Sequence, residues 1–253
     1  MIDVVLPDPT GASRDGAAAD AAPAPTSAPD VFALGRAAAA AAAAVNRGRG
    51  VFARSRQLMA SGAWRGPRDA AESYVEEEDL AALGELARAQ QAGVRTVIAT
   101  SAAVARATHA AGLRVLWRLV FRGGEPAAAR EARLAEVRAL VDSGVALAGI
   151  VPTPDGEPMG LDTLRVVAAC RLHLTAPRVV ADFVKLGHRL AQMSLGFGAD
   201  ELFGPIMPER ALRLGANAGN PVMTRKEAAM LLRGAGLVPH ERVAGGELEE
   251  CLP

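Results

Sequence analysis

The chain has 253 residues, half of them apolar, with 28 basic residues against 28 acidic ones and no formal net charge. That length holds one large domain or two small ones with a real core, and the balanced charge excludes a chain-wide basic field for nucleic acid. Cys170 and Cys251 are the only cysteines, too few for a disulfide framework, a thiolate zinc site or an iron–sulfur cluster of the usual three or four thiolates.

No run approaches the ~20 strongly apolar residues of a membrane span. Two Trp, one Tyr and six Phe are too few for a platform on which single-stranded nucleic acid would stack. Alanine is abundant, and lysine is reduced to Lys185 and Lys226. This bias favours helix everywhere, because alanine is the best helix former.

Residues 1–30 are rich in Pro, Ala, Asp, Ser and Gly and read as a disordered tail. They lack the basic start and apolar centre of a secretory signal, so a cytoplasmic location is expected. The alanine run Ala37–Ala44 reads as helix. Val51–Leu58 is a short strand, followed by a loop rich in Gly, Arg and Trp. Glu77–Ala92 is a helix with Leu80, Leu83 and Leu86 on one face and acidic residues at its N-terminus. Thr96–Thr100 is a strand, and Ser101 caps a helix that stops at Gly112. Leu113–Phe121 is the strongest strand. A charged helix over Pro126–Ser143 leads to a strand at Ala146–Val151. Helix Leu161–Leu172, strand Arg178–Phe183 and helix Val184–Leu195 follow, with further helices near Pro208–Leu214 and Arg225–Gly234.

Strands separated by helices of this size imply parallel βαβ units with right-handed crossovers. Five strands are clear, and a closed barrel needs eight. The expected fold is α/β, an incomplete (β/α) barrel with parallel strands and a helical C-terminal extension. Residues 31–253 would form this unit, with 161–253 its C-terminal region. Ligands in such folds meet the C-terminal ends of the strands. That directs attention to Arg118, Arg122, Pro152 to Asp155, and Asp182 to Lys185.

The most specific pattern spans residues 164–242: LRVVAACRLHL, then VVADFVKLGHRLAQMSLGFGADELFGPIMPE, then TRKEAAMLLRGAGLVPHER. It resembles the C-terminal region of one branch of radical SAM enzymes, which contains aminofutalosine synthase, dehypoxanthine futalosine cyclase and the two halves of the deazaflavin (FO) synthase. The matching residues are Arg171–Leu172, Val184–Lys185–Leu186–Gly187, Leu190–Ala191–Gln192, Gly198–Ala199, Gly204, Glu209, Thr224, Glu227, Gly236 and Arg242. Upstream, VLWRLVFRGGEP resembles a family segment in which Glu125 matches a glutamate and Gly123 replaces a histidine. DVFALGRAAAA and VFARSRQL resemble the family's first helix and first strand.

The family places CxxxCxxC on the loop after that strand, and SGAWRGPRD stands there instead. Whole βα units of the family are also missing. Such a cluster uses three thiolates on one loop and an open iron that chelates S-adenosylmethionine. Cys170 falls in a helix and Cys251 lies far along the chain, so neither a [4Fe–4S] cluster nor cleavage of S-adenosylmethionine nor its binding is expected. Cys170 reads as a buried core residue and Cys251 as a tail thiol.

The strand ends and the resemblance together give the candidate ligand-binding residues Arg118, Glu125, Asp182, Lys185, Asp200, Glu201 and Glu209. Asp200 and Glu201 form a carboxylate pair that suits acid/base work or a cation, or else a solvated loop. Phe203, in place of a family glycine, fills space that ligand or backbone occupies in active members. No metal site is expected, because His109, His173, His188 and His240 lack metal-ligand spacing. Gly123–Gly124 reads as a simple strand-to-helix turn. Arg47, Arg49, Arg54, Arg56, Arg65 and Arg68 form a local basic cluster, read as a solvated face or as an anion or acidic-partner contact.

Three functional readings follow. One is a cluster-less, catalytically inactive relative, a partner or small-molecule binder linked to the futalosine route to menaquinone. It would form a homo-oligomer, or a hetero-oligomer with a cysteine-bearing paralogue, and would engage neither nucleic acid nor membrane. Another is a non-radical acid/base enzyme that uses the retained pocket on a nucleoside or aromatic acid. The third keeps the radical SAM label by ancestry alone.

Overall fold

The computed structural model describes residues 30–84, 86–157, 160–174, 177–207, 222–244 and 246–252. Helix α1 (Val31–Asn46) is capped by Asp30, whose carboxylate accepts a hydrogen bond from the Phe32 amide at 3.0 Å. Then come β1 (Arg49–Phe52), β2 (Ser55–Leu58), β3 (Trp64–Arg65), β4 (Glu72–Glu76), α2 (Glu77–Leu83) and α3 (Leu86–Gln91). The middle of the chain alternates as β5 (Thr96–Ala99), α4 (Ala102–Ala110), β6 (Arg114–Phe121), α5 (Ala127–Asp142), β7 (Leu147–Pro154), α6 (Gly160–His173) and β8 (Arg178–Asp182). It ends with α7 (Phe183–Leu186), α8 (His188–Leu195), β9 (Glu201–Phe203), β10 (Ile206–Met207), β11 (Met223–Thr224), α9 (Arg225–Gly234), β12 (Val238–Arg242) and β13 (Leu248–Glu250).

The main sheet has eleven strands in the order β13-β12-β1-β9-β8-β7-β6-β5-β4-β2-β3. All its pairings are parallel except β12 with β13 and β2 with β3. β1 and β2 stand far apart in this order, yet only Ala53 and Arg54 separate them in the chain. The sheet therefore curls round until its two reaches meet along residues 49–58. At that seam the Val51 amide donates to the Asp200 carbonyl (2.8 Å) and the Glu72 amide to the Arg54 carbonyl (3.0 Å). The result is an incomplete (β/α) barrel with parallel strands and, among the described residues, fewer than eight βα units. Its C-terminal extension carries α9 and adds β12 beside β1.

Period-2 alternation divides the strands into an outer and an inner face. Outward, Val115, Trp117, Ile150, Val179, Ala181 and Leu202 pack under α1, α4, α5, α6 and α8. Val75 and Val97 pack with Leu58, Leu80, Ala89 and Val94 under α2 and α3. Inward, Tyr74, Ile98, Leu116, Val151, Val180 and Phe203 form a separate apolar layer, one residue from each of six strands. The residues two positions before and after them along β4, β6 and β8 are Glu72 and Glu76, Arg114 and Arg118, and Arg178 and Asp182. The barrel interior is thus a sandwich: ionic below, apolar across the middle, and polar again at the C-terminal ends.

Several expected elements differ in extent. The strand Val51–Leu58 is two strands, because its halves serve different neighbours. The helix Glu77–Ala92 breaks at Gly84, whose φ of 87° closes α2 through its amide to the Leu80 carbonyl. The helix Val184–Leu195 breaks at Gly187, with φ 74°. β4, β9 and β12 carry acidic or proline-bearing sequences that do not read as strands, but tertiary pairing makes them so. Cys251 is not a tail thiol. It is 9% exposed, and its amide donates to the Pro239 carbonyl at 2.9 Å. The tail at 1–29 and the helix near 208–214 lie outside the described residues. Among the described residues no helix is long and apolar enough to cross a membrane.

Candidate functional site

A cavity of about 290 Å³ opens at the C-terminal end of the barrel. Its floor is the top of the inner apolar layer, where Tyr74 and Phe203 meet edge to face with ring centroids 4.8 Å apart. Next to it Gly204 has a φ of 146°, and a Cβ there would sit 2.5 Å from the Phe183 ring, so the position needs glycine. Ser55, Gln57, Glu76, Asp79, Asp182, Lys185 and Arg65 form the polar wall, and Met59, Pro205, Met207 and Val222 the apolar one.

The wall is largely self-satisfied. Arg118 grips Glu76 with two parallel bonds of 2.9 and 3.1 Å. Asp79 accepts from the Gln57 side-chain amide and the Ala60 backbone amide, both at 3.0 Å. Tyr74 donates to Gln57 Oε1 at 3.3 Å, and Ser55 donates to the Gly204 carbonyl at 3.0 Å. Asp182 caps α7: its Oδ1 accepts from the Val184 and Lys185 amides at 2.9 and 3.4 Å. Its other oxygen has no hydrogen-bond partner among the described residues. Lys185 and Arg65 likewise make no ion pair among the described residues. The cavity therefore offers one unengaged carboxyl oxygen and two unengaged cations above an aromatic floor.

Burial pushes the Asp182 carboxyl up to about 6, with the Arg118 charge opposing it. Burial also acts to raise Glu76, but the Arg118 bonds and charge, aided by Lys185 and Arg65, outweigh it and hold that carboxyl below its ordinary value. Burial raises the Tyr74 phenol, so Tyr74 stays a neutral donor. One wall thus carries a carboxyl held below its ordinary pKa beside one raised to about 6.

The structure brings together only some of the residues singled out from sequence. Asp182 and Lys185 line the cavity, and Arg118 stands directly behind Glu76. Arg122 points away to an exposed pair with Asp155 at 2.7 Å. Glu125 is held by Arg133 at 2.5 and 2.6 Å on the loop after β6 and does not line the cavity. Asp200 and Glu201 are neither solvated nor near the cavity: they are 1% and 2% exposed at the opposite, N-terminal end of β9. There Arg171 pairs with Asp200 at 2.9 Å, and Arg242 pairs with Glu201 at 2.6 Å. Their role is to hold α6 and β12 to the barrel. Glu209 lies outside the described residues.

Gln57, Glu76 and Asp79 were not singled out, and Arg65 was read only as one member of a local basic cluster. Ser55-x-Gln57 and Glu72-x-Tyr74-x-Glu76 do show the two-residue alternation of a strand lining an interior. The run EEEDL masks the second of these by suggesting a helix N-terminus.

Residues 59–71 follow β2, where the resembling family carries its cluster cysteines. In this chain the segment folds back as the antiparallel β2–β3 ribbon, Gln57 opposite Arg65 and Leu58 opposite Trp64. The Arg56 guanidinium stacks 4.1 Å from the Trp64 ring centre. Cys170 sits fully buried in α6, its thiol pushed up to about 12 by burial, and Cys251 follows β13. Two thiols on separate elements outside this loop do not fit an iron–sulfur cluster of three thiolate ligands. Among the described residues no group of three or more His, Cys, Asp or Glu is arranged to hold a metal ion.

No family model matches the chain. It is 29% identical over 157 residues to 5-amino-6-(D-ribitylamino)uracil–L-tyrosine 4-hydroxyphenyl transferase 1 of Methanosarcina acetivorans, covering 55% of this chain and 42% of that protein. It is 38% identical over 85 residues to the transferase of the same name from Methanosarcina barkeri, covering 33% and 23%. Against the aminodeoxyfutalosine synthase of Thermus thermophilus it is 34% identical over 86 residues, covering 34% and 23%. The chain spans less than half the length of these curated relatives. The crystal structure of methylornithine synthase (PylB) superimposes with a TM-score of 0.56 at 10% identity, over 83% of this chain and 89% of that one. The homologues are thus of FO synthase-like and aminodeoxyfutalosine synthase kind, and the solved structure shares the fold.

Proposed function

We propose that this homologue of radical SAM enzymes is a cluster-less binding protein, which holds a small ring-bearing acid at the C-terminal end of its barrel and carries out no reductive cleavage of S-adenosylmethionine. The observation that carries the reading is the segment 59–71. It holds no cysteine and is closed into a ribbon, while the cavity beside it keeps a polar wall with unengaged groups. An aromatic or nucleoside acid suits that wall. A ring would rest on Tyr74 and Phe203, an anionic group would meet Lys185 and Arg65, and a donor would meet the free oxygen of Asp182. The link to futalosine chemistry and the pairing with a cysteine-bearing paralogue belong to the same proposal and rest on the likeness to the aminodeoxyfutalosine synthase. Anaerobic reconstitution followed by iron and sulfide analysis, with a 5′-deoxyadenosine assay, tests the reading. Protein that stays free of iron and inert toward S-adenosylmethionine is the expected result. A brown preparation with about four irons per chain that releases 5′-deoxyadenosine would overturn it.

A second reading, non-radical acid/base chemistry, is favoured by Asp182 itself. A carboxyl with a pKa of about 6, one oxygen fixed by the α7 cap and the other free, is suited to proton transfer near neutral pH. It predicts turnover of a nucleoside or aromatic acid that rises through pH 6 and is lost in Asp182→Asn. Turnover that survives this substitution removes it.

A further inference from the structure

The opposite end of the barrel holds a second cavity, of about 310 Å³, lined by Ala71, Glu72, Arg95, Gly112, Leu113, Arg114, Arg242, Val243 and Gly246. Three arginines from three separate parts of the chain line it, with Glu72 as the sole carboxylate of the lining among the described residues. Both oxygens of Glu72 are already engaged: Oε1 accepts from Thr96 and Arg114, and Oε2 from Arg242 at 3.0 Å. Arg242 is further committed to Glu201, at 2.8 and 2.6 Å. Arg114 uses only one of its terminal nitrogens, and Arg95 makes no ion pair or hydrogen bond through its side chain among the described residues. Counting Glu201 behind Arg242, three positive charges face two negative ones. A half-enclosed cluster with surplus cations is favourable ground for an anion, and guanidinium forks match tetrahedral oxyanions bidentately.

We infer that this N-terminal cavity is a binding site for a tetrahedral oxyanion, phosphate or sulfate, free or carried as a phosphomonoester, held by Arg95 and Arg114 with Arg242 as its inner wall. The site is independent of the cavity at the other end and of the function proposed for it. Bound there, the anion would tie the turn before β5 to the start of β6 and to the C-terminal segment after β12, bracing the closed end of the barrel. Arg95→Gln is the informative variant, because Arg95 is exposed and takes part in none of the ion pairs that hold the fold. Arg65→Gln is the control, because Arg65 belongs to the cavity at the other end.

Inorganic phosphate, sulfate and a simple phosphomonoester such as glycerol phosphate are titrated at constant ionic strength, with thermal unfolding and calorimetry as readouts. A saturable rise in Tm is expected for wild type and for Arg65→Gln, absent with chloride, and with apparent affinity at least about tenfold weaker in Arg95→Gln. The arm with the tightest binding says whether the free ion or the ester is preferred. No saturable binding overturns the assignment. So does equal binding in wild type and Arg95→Gln, or a loss that tracks Arg65→Gln.

Discussion

At the scale of single residues, Asp182 is the most informative side chain of the upper cavity. It is 3% exposed, its carboxyl rises from 3.8 to about 6, and burial is the first cause. A raised carboxyl pKa means the folded protein binds its proton more tightly than the unfolded chain does. Asp182 therefore disfavours folding progressively as the pH rises through the window from 3.8 to about 6, with no effect below it. Asparagine can keep the α7 cap, since it is as good an N-cap residue as aspartate, yet it carries no charge. Asp182→Asn should match wild type in urea unfolding near pH 3.5 and exceed its stability by about 1–3 kcal/mol at pH 7.5. Equal stability at both pH values would show that water or the neighbouring Arg118 fully compensates the buried charge.

At the scale of elements, much of the barrel was legible because its strands and helices carry strong local signals. Leu113–Phe121 is a long apolar and β-branched run interrupted only by Arg114 and Arg118. Ser101 marks the start of α4, and the Thr224/Glu227 capping box marks that of α9. What stayed hidden obeys long-range rules instead. β4, β9 and β12 present Glu72, Glu76, Glu201 and Arg242, charges that belong in a strand only because partners from distant segments await them inside the barrel. A local reading prices these residues as solvated and places them in loops or helix ends. The same blindness left Asp200 and Glu201 open between a functional pair and a solvated loop, and neither reading foresaw their buried pairing with Arg171 and Arg242. Which end of the barrel they occupy follows from their position at the start of β9, a strand too short to be recognised. Asp182 and Lys185, which line the upper cavity, were legible as candidates because they stand at the end of a clear strand, where ligands meet folds of this kind.

At the scale of the whole molecule, the curled sheet is locked from below by a charge network that joins chain segments far apart in sequence. Arg242 reaches from β12 to Glu201 on β9 and to Glu72 on β4, tying the C-terminal extension under the barrel. Burial would raise Glu201, but the Arg242 charge and bonds prevail, so its carboxyl falls from 4.5 to about 2. A lowered folded pKa contributes stability that is complete above 4.5 and is lost as the pH falls toward 2. Arg242→Met removes the cation, keeps much of the aliphatic bulk, and leaves two buried carboxylates facing each other. Breaking a buried pair in this way costs about 3–5 kcal/mol. Urea unfolding at pH 7 should therefore show Arg242→Met less stable by that amount. The deficit should shrink between pH 4.5 and 2, because protonation of Glu201 then relieves the variant while it weakens wild type. A variant that unfolds at the wild-type urea midpoint at pH 7 would mean that β12 is not docked beneath the barrel and that the closed end is held by other contacts.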